Sequence, residues 1–112
     1  MSYYAMYDVT AKCPDAVTAE MVADKFRDEL YAEGLVYFSD CTVTLSCFMD
    51  IDVEYFGNLT ADYPGTFIDA RYYGEDREVG VIYAKDDKVY LDSAEVIFPE
   101  FDENRLCPQK SI

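Results

Sequence analysis

The middle of the chain, residues 41–55, alternates between two kinds of side chain. Odd positions carry Cys, Val, Leu, Met, Ile or Tyr, and even positions carry Thr, Ser, Asp or Glu apart from Phe48. Since successive side chains of a strand point to opposite faces, this alternation predicts one long strand, bent or bulged near its middle. A two-residue hairpin inside the segment would shift the buried face to even positions and is excluded. Two strands joined by a three-residue loop would keep the alternation equally well.

One amphipathic helix is predicted near the N-terminus. Pro14 opens it, Asp15 or Thr18 is its N-cap, and Gly34 stops it. Its apolar residues recur at the spacing of one helix face. They are Ala19, Val22, Ala23, Phe26 and Leu30.

Four further segments are predicted as strands by their alternation or their β-branched and aromatic content: 3–12, 66–73, 77–84 and 88–98, the last open to a break at Ser93. Turn residues predict hairpin connections at 74–76 and 85–87, and a loop at 58–65. The tail from about residue 99 is predicted to be irregular.

The resulting element order, β-α-β-β-β-β, predicts a single α+β domain spanning residues 1–112. Strands that follow one another in hairpins form a mostly antiparallel sheet, and the one helix packs on one of its faces. A ferredoxin-like and a cystatin-like arrangement both fit this order. Parallel doubly wound folds need several crossover helices and are excluded.

Charge restricts the function. The chain carries a net charge of −14, yet 51% of its residues are hydrophobic, so it is expected to fold. This charge disfavours direct binding of nucleic acid and of anionic membranes. The chain has no His and no glycine-rich phosphate loop, so we predict no enzymatic activity and no cofactor.

The cysteines and the N-terminus predict a cytoplasmic protein. Residues 1–8 lack the basic and apolar regions of a secretion signal, and no apolar run is long enough to span a bilayer. The spacings of Cys13, Cys41, Cys47 and Cys107 match neither a zinc site nor a redox motif, so reduced thiols are expected.

Rows of acidic residues are the functional lead. Three acids recur at every fourth position of the predicted helix, three alternate along the predicted long strand, and five decorate the predicted hairpins. The resulting partner-binding residues are Glu20, Asp24 and Asp28; Asp50, Asp52 and Glu54; and Glu75, Asp76, Glu78, Asp86 and Asp87. Residues 50–54 are also the best candidate for a cation site, but apolar Ile51 and Val53 intervene, and we predict no metal.

The spacing of the rows suggests what they contact. Carboxylates stand ~6 Å apart on the helix and ~6.6 Å apart on a strand. Phosphates of one DNA strand recur about every 3.4 Å, so each row repeats at about every second phosphate. Short, acidic, cytosolic and without catalytic motifs, the chain resembles phage-encoded anti-defence proteins, including anti-CRISPR proteins and other DNA mimics.

This resemblance implies an inhibitor that occludes the basic nucleic-acid-binding site of a partner protein, in the host cytoplasm if the chain is phage-encoded. The alternative is an interaction module or immunity protein that binds through an aromatic and acidic surface or a free sheet edge. In that case the chain could also form a homodimer.

Overall fold

The computed structural model describes residues 4–30, 35–75 and 77–95, and these form six strands and two helices. The elements are β1 (Ala5–Lys12), α1 (Ala16–Leu30), β2 (Val36–Ser39), β3 (Thr42–Met49), α2 (Val53–Asp62), β4 (Phe67–Gly74), β5 (Glu78–Lys85) and β6 (Lys88–Glu95). All six strands join one antiparallel sheet. The predicted α+β class is therefore confirmed.

The strand order is β2-β3-β1-β4-β5-β6, so the first strand lies inside the sheet. β1 pairs with β3 and with β4 along its whole length, from Ala5 to Lys12. α1 connects β1 to β2 past β3, and α2 connects β3 to β4 past β1. β4, β5 and β6 then follow as consecutive hairpins.

Both helices cover the same face of the sheet, which we call the inner face. The buried strand residues on that face are Ala5, Tyr7, Val9 and Ala11 of β1, Val36 of β2, Val43, Leu45 and Cys47 of β3, Ile68, Ala70 and Tyr72 of β4, and Ile82 and Ala84 of β5. α1 packs over β2 and β3, and α2 packs over β4, β5 and β6. The opposite, outer face carries no helix in the part of the chain that is described.

The helix predicted near the N-terminus is confirmed as α1. Its buried residues are the five of the predicted apolar stripe. Asp15 is the N-cap: the Thr18 backbone N–H donates to Asp15 Oδ1 at 2.7 Å, and the Ala19 N–H donates to the Asp15 carbonyl at 3.1 Å. Gly34, the predicted stop, lies outside the described residues.

The prediction of one strand over residues 41–55 is wrong from residue 50 onward. β3 ends at Met49, and a second helix, α2, begins at Val53 after its N-cap, Asp52. Asp52 Oδ1 accepts a hydrogen bond from the Glu54 backbone N–H at 3.1 Å, which caps the N-terminus of α2. Ile51 and Val53 continue the alternation expected of a strand, but the Asp52 carboxylate stabilises the start of a helix at this point.

The helix α2 also corrects the predicted loop at 58–65, because residues 58–62 are helical. Phe56, Leu59 and Thr60 are buried against the sheet at helical spacing. The element order is accordingly β-α-β-β-α-β-β-β, with two helices on the sheet where one was predicted.

The remaining predicted strands are confirmed where the structure describes them. Segments 3–12, 66–73, 77–84 and 88–98 correspond to β1, β4, β5 and β6, and β6 continues through Ser93 without a break. Residues from 96 on lie outside the described part. The short edge strand β2 was not predicted; it turns into β3 through Asp40, whose φ is 54°.

A close approach between β4 and β5 requires glycine at one position. The ring of Tyr72 lies directly over Gly80, so that a Cβ added at Gly80 would overlap the ring. The Tyr72 hydroxyl donates to Glu78 Oε1 at 2.9 Å, which holds the ring in this place.

We expect Gly80→Ala to lower the free energy of unfolding by about 1–3 kcal/mol, because the added methyl group displaces the Tyr72 ring. In a Tyr72→Ala background the same substitution should cost much less. Urea denaturation of the four proteins of this double-mutant cycle measures the coupling. Equal costs in both backgrounds would contradict the packing described.

Candidate functional site

Negative charge is concentrated on the side of the molecule that carries the helices. Among the described residues, α1, α2 and the segments leading into them hold nine carboxylates and two cations, a net charge of −7. The nine carboxylates, all on exposed residues, are Asp15, Glu20, Asp24, Asp28, Glu29, Asp50, Asp52, Glu54 and Asp62. The cations are Lys25 and Arg27. This helix side is the strongest electrostatic feature of the described structure.

The predicted row on α1 is present and faces solvent. Glu20, Asp24 and Asp28 lie on the face of α1 opposite its buried stripe. Both cations of α1 bind acids of the same helix: Lys25 Nζ lies 3.0 Å from Glu29 Oε1, and Arg27 lies 3.1 Å from Asp24. The hydrogen bond to Glu29 raises the pKa of Lys25. Both cations are thus paired, but α1 holds four acids against two cations and keeps a net charge of −2.

An open depression of about 460 Å³ lies between α1 and the end of α2. It is lined by Met21, Asp24, Lys25, Asp28, Glu29 and Tyr63. Met21 and Tyr63 offer apolar contact area, and three carboxylates outnumber the one cation, Lys25, which is paired with Glu29. This combination suits a long cationic side chain, whose aliphatic stem packs on the apolar residues while its charged end meets the carboxylates.

The acids of residues 50–54 do not form the predicted row on a strand. Asp50 lies in the turn after β3, Asp52 caps α2, and Glu54 is in the first turn of that helix. All three are exposed and close to the positive end of the helix dipole, where carboxylates are stabilising. Asp52 therefore has a structural role that sequence spacing alone did not reveal.

The predicted hairpin acids are divided by the structure. Glu75 and the turn residues Asp86 and Asp87 are exposed, whereas Asp76 lies outside the described residues. Glu78 is on the inner face and accepts the hydrogen bond from Tyr72, so it is partly engaged within the fold. These acids are separated from the row on α1.

The outer face of the sheet contrasts with the helix side. Strand register places three acids, Asp8, Asp69 and Asp92, and four cations, Lys12, Arg71, Lys85 and Lys88, on this face. It is therefore nearly neutral. It also exposes apolar side chains, with Met6, Phe48, Tyr73 and Tyr90 between 44% and 60% exposed.

Nucleophilic and metal chemistry have weak support in the described residues. Burial raises the pKa of the Cys13 thiol, and that of Cys47 to about 11, so neither is an activated thiolate. Cys13, Cys41 and Cys47 are unbridged; Cys107 lies outside the described part. No three Asp, Glu or Cys side chains among these residues are grouped to hold a metal ion.

The comparisons with known proteins leave the family open. No protein-family model, no curated protein and no solved structure matches this chain. Within the described residues, neither helix has the length and apolar character needed to cross a bilayer.

Asp52→Ala should lower the free energy of unfolding by about 1 kcal/mol, because the Glu54 N–H loses its capping acceptor. Asp50→Ala is the matched control, and it should change stability by less than about 0.5 kcal/mol. Thermal unfolding followed by circular dichroism compares the two variants. Equal destabilisation would show that Asp52 does not act as a cap.

Stability should fall between about pH 10 and pH 12 partly through Tyr72. Burial, together with Glu78, raises the pKa of Tyr72 to about 12 from an ordinary value of 10. The neutral hydroxyl thus favours the folded state below pH 10, and this contribution is lost as pH rises through the folded pKa. In urea denaturation, the free energy of unfolding of Tyr72→Phe should fall less steeply over this pH range than that of the parent. Tyr73→Phe, a control at an exposed position, should show the same pH dependence as the parent.

Proposed function

We propose that the protein is a protein-binding inhibitor whose helix side docks on the basic nucleic-acid-binding site of a partner and blocks it. The observation that carries the proposal is the net charge of −7 on the described helix side, against a nearly neutral outer face. Such segregation suits a surface that must meet Lys and Arg residues, because complementary potentials speed encounter and fix orientation.

The helix row supports a partner that normally binds a nucleic acid backbone. Glu20, Asp24 and Asp28 stand ~6 Å apart along a packed helix, so their spacing is rigid. The depression beside them supplies an anchor point for an Arg or Lys side chain of the partner. Under this proposal the protein acts where such partners work, in the cytoplasm, and in the host cytoplasm if it is phage-encoded as an anti-defence protein.

A second candidate function is an interaction module that binds through the outer face. Its support is the exposed Phe48, Tyr73 and Tyr90, which provide large contact area at small entropic cost. Salt separates the two candidates: binding through the helix side weakens steeply with added salt, and apolar binding weakens little.

We further propose that residues 5–74 adopt a ferredoxin-like arrangement, extended at the β4 edge by β5 and β6. The support is the element order β-α-β-β-α-β over this range and the strand order β2-β3-β1-β4, in which each helix connects strands past a third. The second helix disfavours the cystatin-like alternative. This assignment concerns architecture and adds nothing to the functional proposal.

The experiment is an affinity capture from bacterial lysates of strains with CRISPR and restriction systems, followed by binding measurements with the retained protein. The variant Glu20→Gln/Asp24→Asn/Asp28→Asn should weaken binding about tenfold, because three exposed contact pairs at about 0.5 kcal/mol each total about 1.5 kcal/mol. Duplex DNA should displace the complex, and high salt should dissociate it.

The matched control is Asp8→Asn/Asp69→Asn/Asp92→Asn, which removes the same number of charges from the outer face. It should retain the parent affinity. If the control weakens binding as much as the helix variant, net charge alone is responsible. If only the control weakens binding, the outer face is the interface.

A further inference from the structure

β6 is a long edge strand of the described sheet. It spans eight residues, Lys88–Glu95, and every side chain from Lys88 to Ala94 is exposed. Val89, Tyr90 and Leu91 are 41%, 56% and 50% exposed. The other edge, β2, has only four residues. A long edge with exposed apolar side chains is a template for pairing with another strand.

The turn before β6 determines which of its backbone groups face outward. Asp86 and Asp87 have φ angles of 52° and 65°, which define a two-residue type I′ turn closed by the pair Lys85–Lys88. Hydrogen-bonded pairs alternate along an antiparallel ladder, so Lys88, Tyr90 and Asp92 bond to β5. The backbone groups of Val89, Leu91 and Ser93 therefore point away from the sheet.

We propose that β6 pairs with β6 of a second copy of this chain, antiparallel and about a two-fold axis normal to the sheet. Tyr90 then lies opposite Tyr90 of the second copy. Val89 and Leu91 exchange backbone hydrogen bonds with Leu91 and Val89 across the axis, and the two sheets become continuous.

Side-chain charge selects this register. With Tyr90 on the axis, Lys88 lies opposite Asp92 of the second copy on the outer face, and the pair occurs twice. Opposite charges facing each other across strands are stabilising. On the inner face the half-exposed Val89 meets Leu91 of the second copy. Shifting the register by two residues places Tyr90 opposite Asp92 and Lys88 opposite Ala94, and loses both ion pairs.

An aromatic ladder leads up to the same axis. Phe67 stacks on Tyr83 with ring centroids 5.9 Å apart, and Tyr83 stacks on Tyr90 at 6.2 Å, with interplanar angles of 21° and 22°. In the proposed register the ladder continues through Tyr90 of the second copy. Each half-exposed Tyr90 ring then gains an aromatic neighbour on its free side.

Charge also explains why self-association would use this strand. Residues 88–94 contain one cation and one acid, in a chain whose net charge is −14. One strand pair buries less than the roughly 1,200 Å² of a stable complex, so the dimer should be weak and concentration-dependent. Added salt should strengthen it by screening the repulsion between the two acidic copies. The inference does not rest on the proposed function.

The test is sedimentation equilibrium of the full chain at micromolar to millimolar concentration, with Lys88→Asp, Asp92→Lys and the double variant. Each single substitution should weaken dimerisation about tenfold, since two ion pairs become two repulsions. The double variant restores the pairs and should return to within about threefold of the parent. Asp92→Lys distinguishes the two explanations best. It lowers the net negative charge, so it would strengthen a dimer that is limited only by overall repulsion, whereas the proposed ion pairs predict a weaker dimer.

Leu91→Pro is a second variant that preserves the monomer. Its lost N–H is one that points away from β5, and proline is tolerated at such edge positions. It should abolish dimerisation while the far-ultraviolet circular dichroism stays like that of the parent. If the parent protein is a monomer at every concentration, the proposal is wrong. That result would also follow if residues 96–112 paired with β6 in place of a second copy. Dimerisation without rescue by the double variant would overturn the register and thus the proposed interface.

Discussion

The packing of odd-numbered β1 side chains beneath the helices is the interaction on which the rest of the structure depends. Tyr7 illustrates it: its ring lies 6.4 Å from Phe56 of α2 and 5.7 Å from Tyr72 of β4, and its hydroxyl donates to the Ile51 carbonyl at 3.2 Å. One residue thereby connects the central strand, a neighbouring strand and the entry to α2. Both helices cover this face, so their outward sides lie on the same side of the sheet, and that side carries the acids of both helices.

Where one periodicity was unambiguous, the sequence predicted the structure. The stripe from Ala19 to Leu30 has the spacing of a helix and no other, and the structure buries those residues. Residues 50–55 alternate as a strand would, but Asp52 also caps a helix by accepting a hydrogen bond from the Glu54 N–H. Counting apolar positions detects the alternation and does not detect this hydrogen bond, so it predicted a strand. β2 was missed because its edge residues Tyr37 and Phe38 are both exposed and carry no alternation.

The candidate site was predictable to a similar degree. The row Glu20, Asp24 and Asp28 follows from helix geometry alone. The neutral outer face does not, because Lys12 is far in sequence from Lys85 and Lys88 and is brought into one row with them only by the register of β1, β4, β5 and β6. Asp62 likewise joins the helix side only because residues 53–62 form α2. Separation of charge between two sides of a sheet is thus a property of topology rather than of composition.

The position of β1 also determines when the sheet can form during synthesis. β1 is made before the other five described strands, yet its neighbours begin at Thr42 and Phe67. Until β3 emerges both of its edges lack their partners, and one edge waits until Gly74 has been added. The nascent chain therefore carries β1 with both edges unpaired until Met49 has been added and with one edge unpaired until Gly74, a period in which strand edges are prone to aggregation. β1, which is paired along both edges in the folded sheet, thus waits for its second partner until Gly74 has been added.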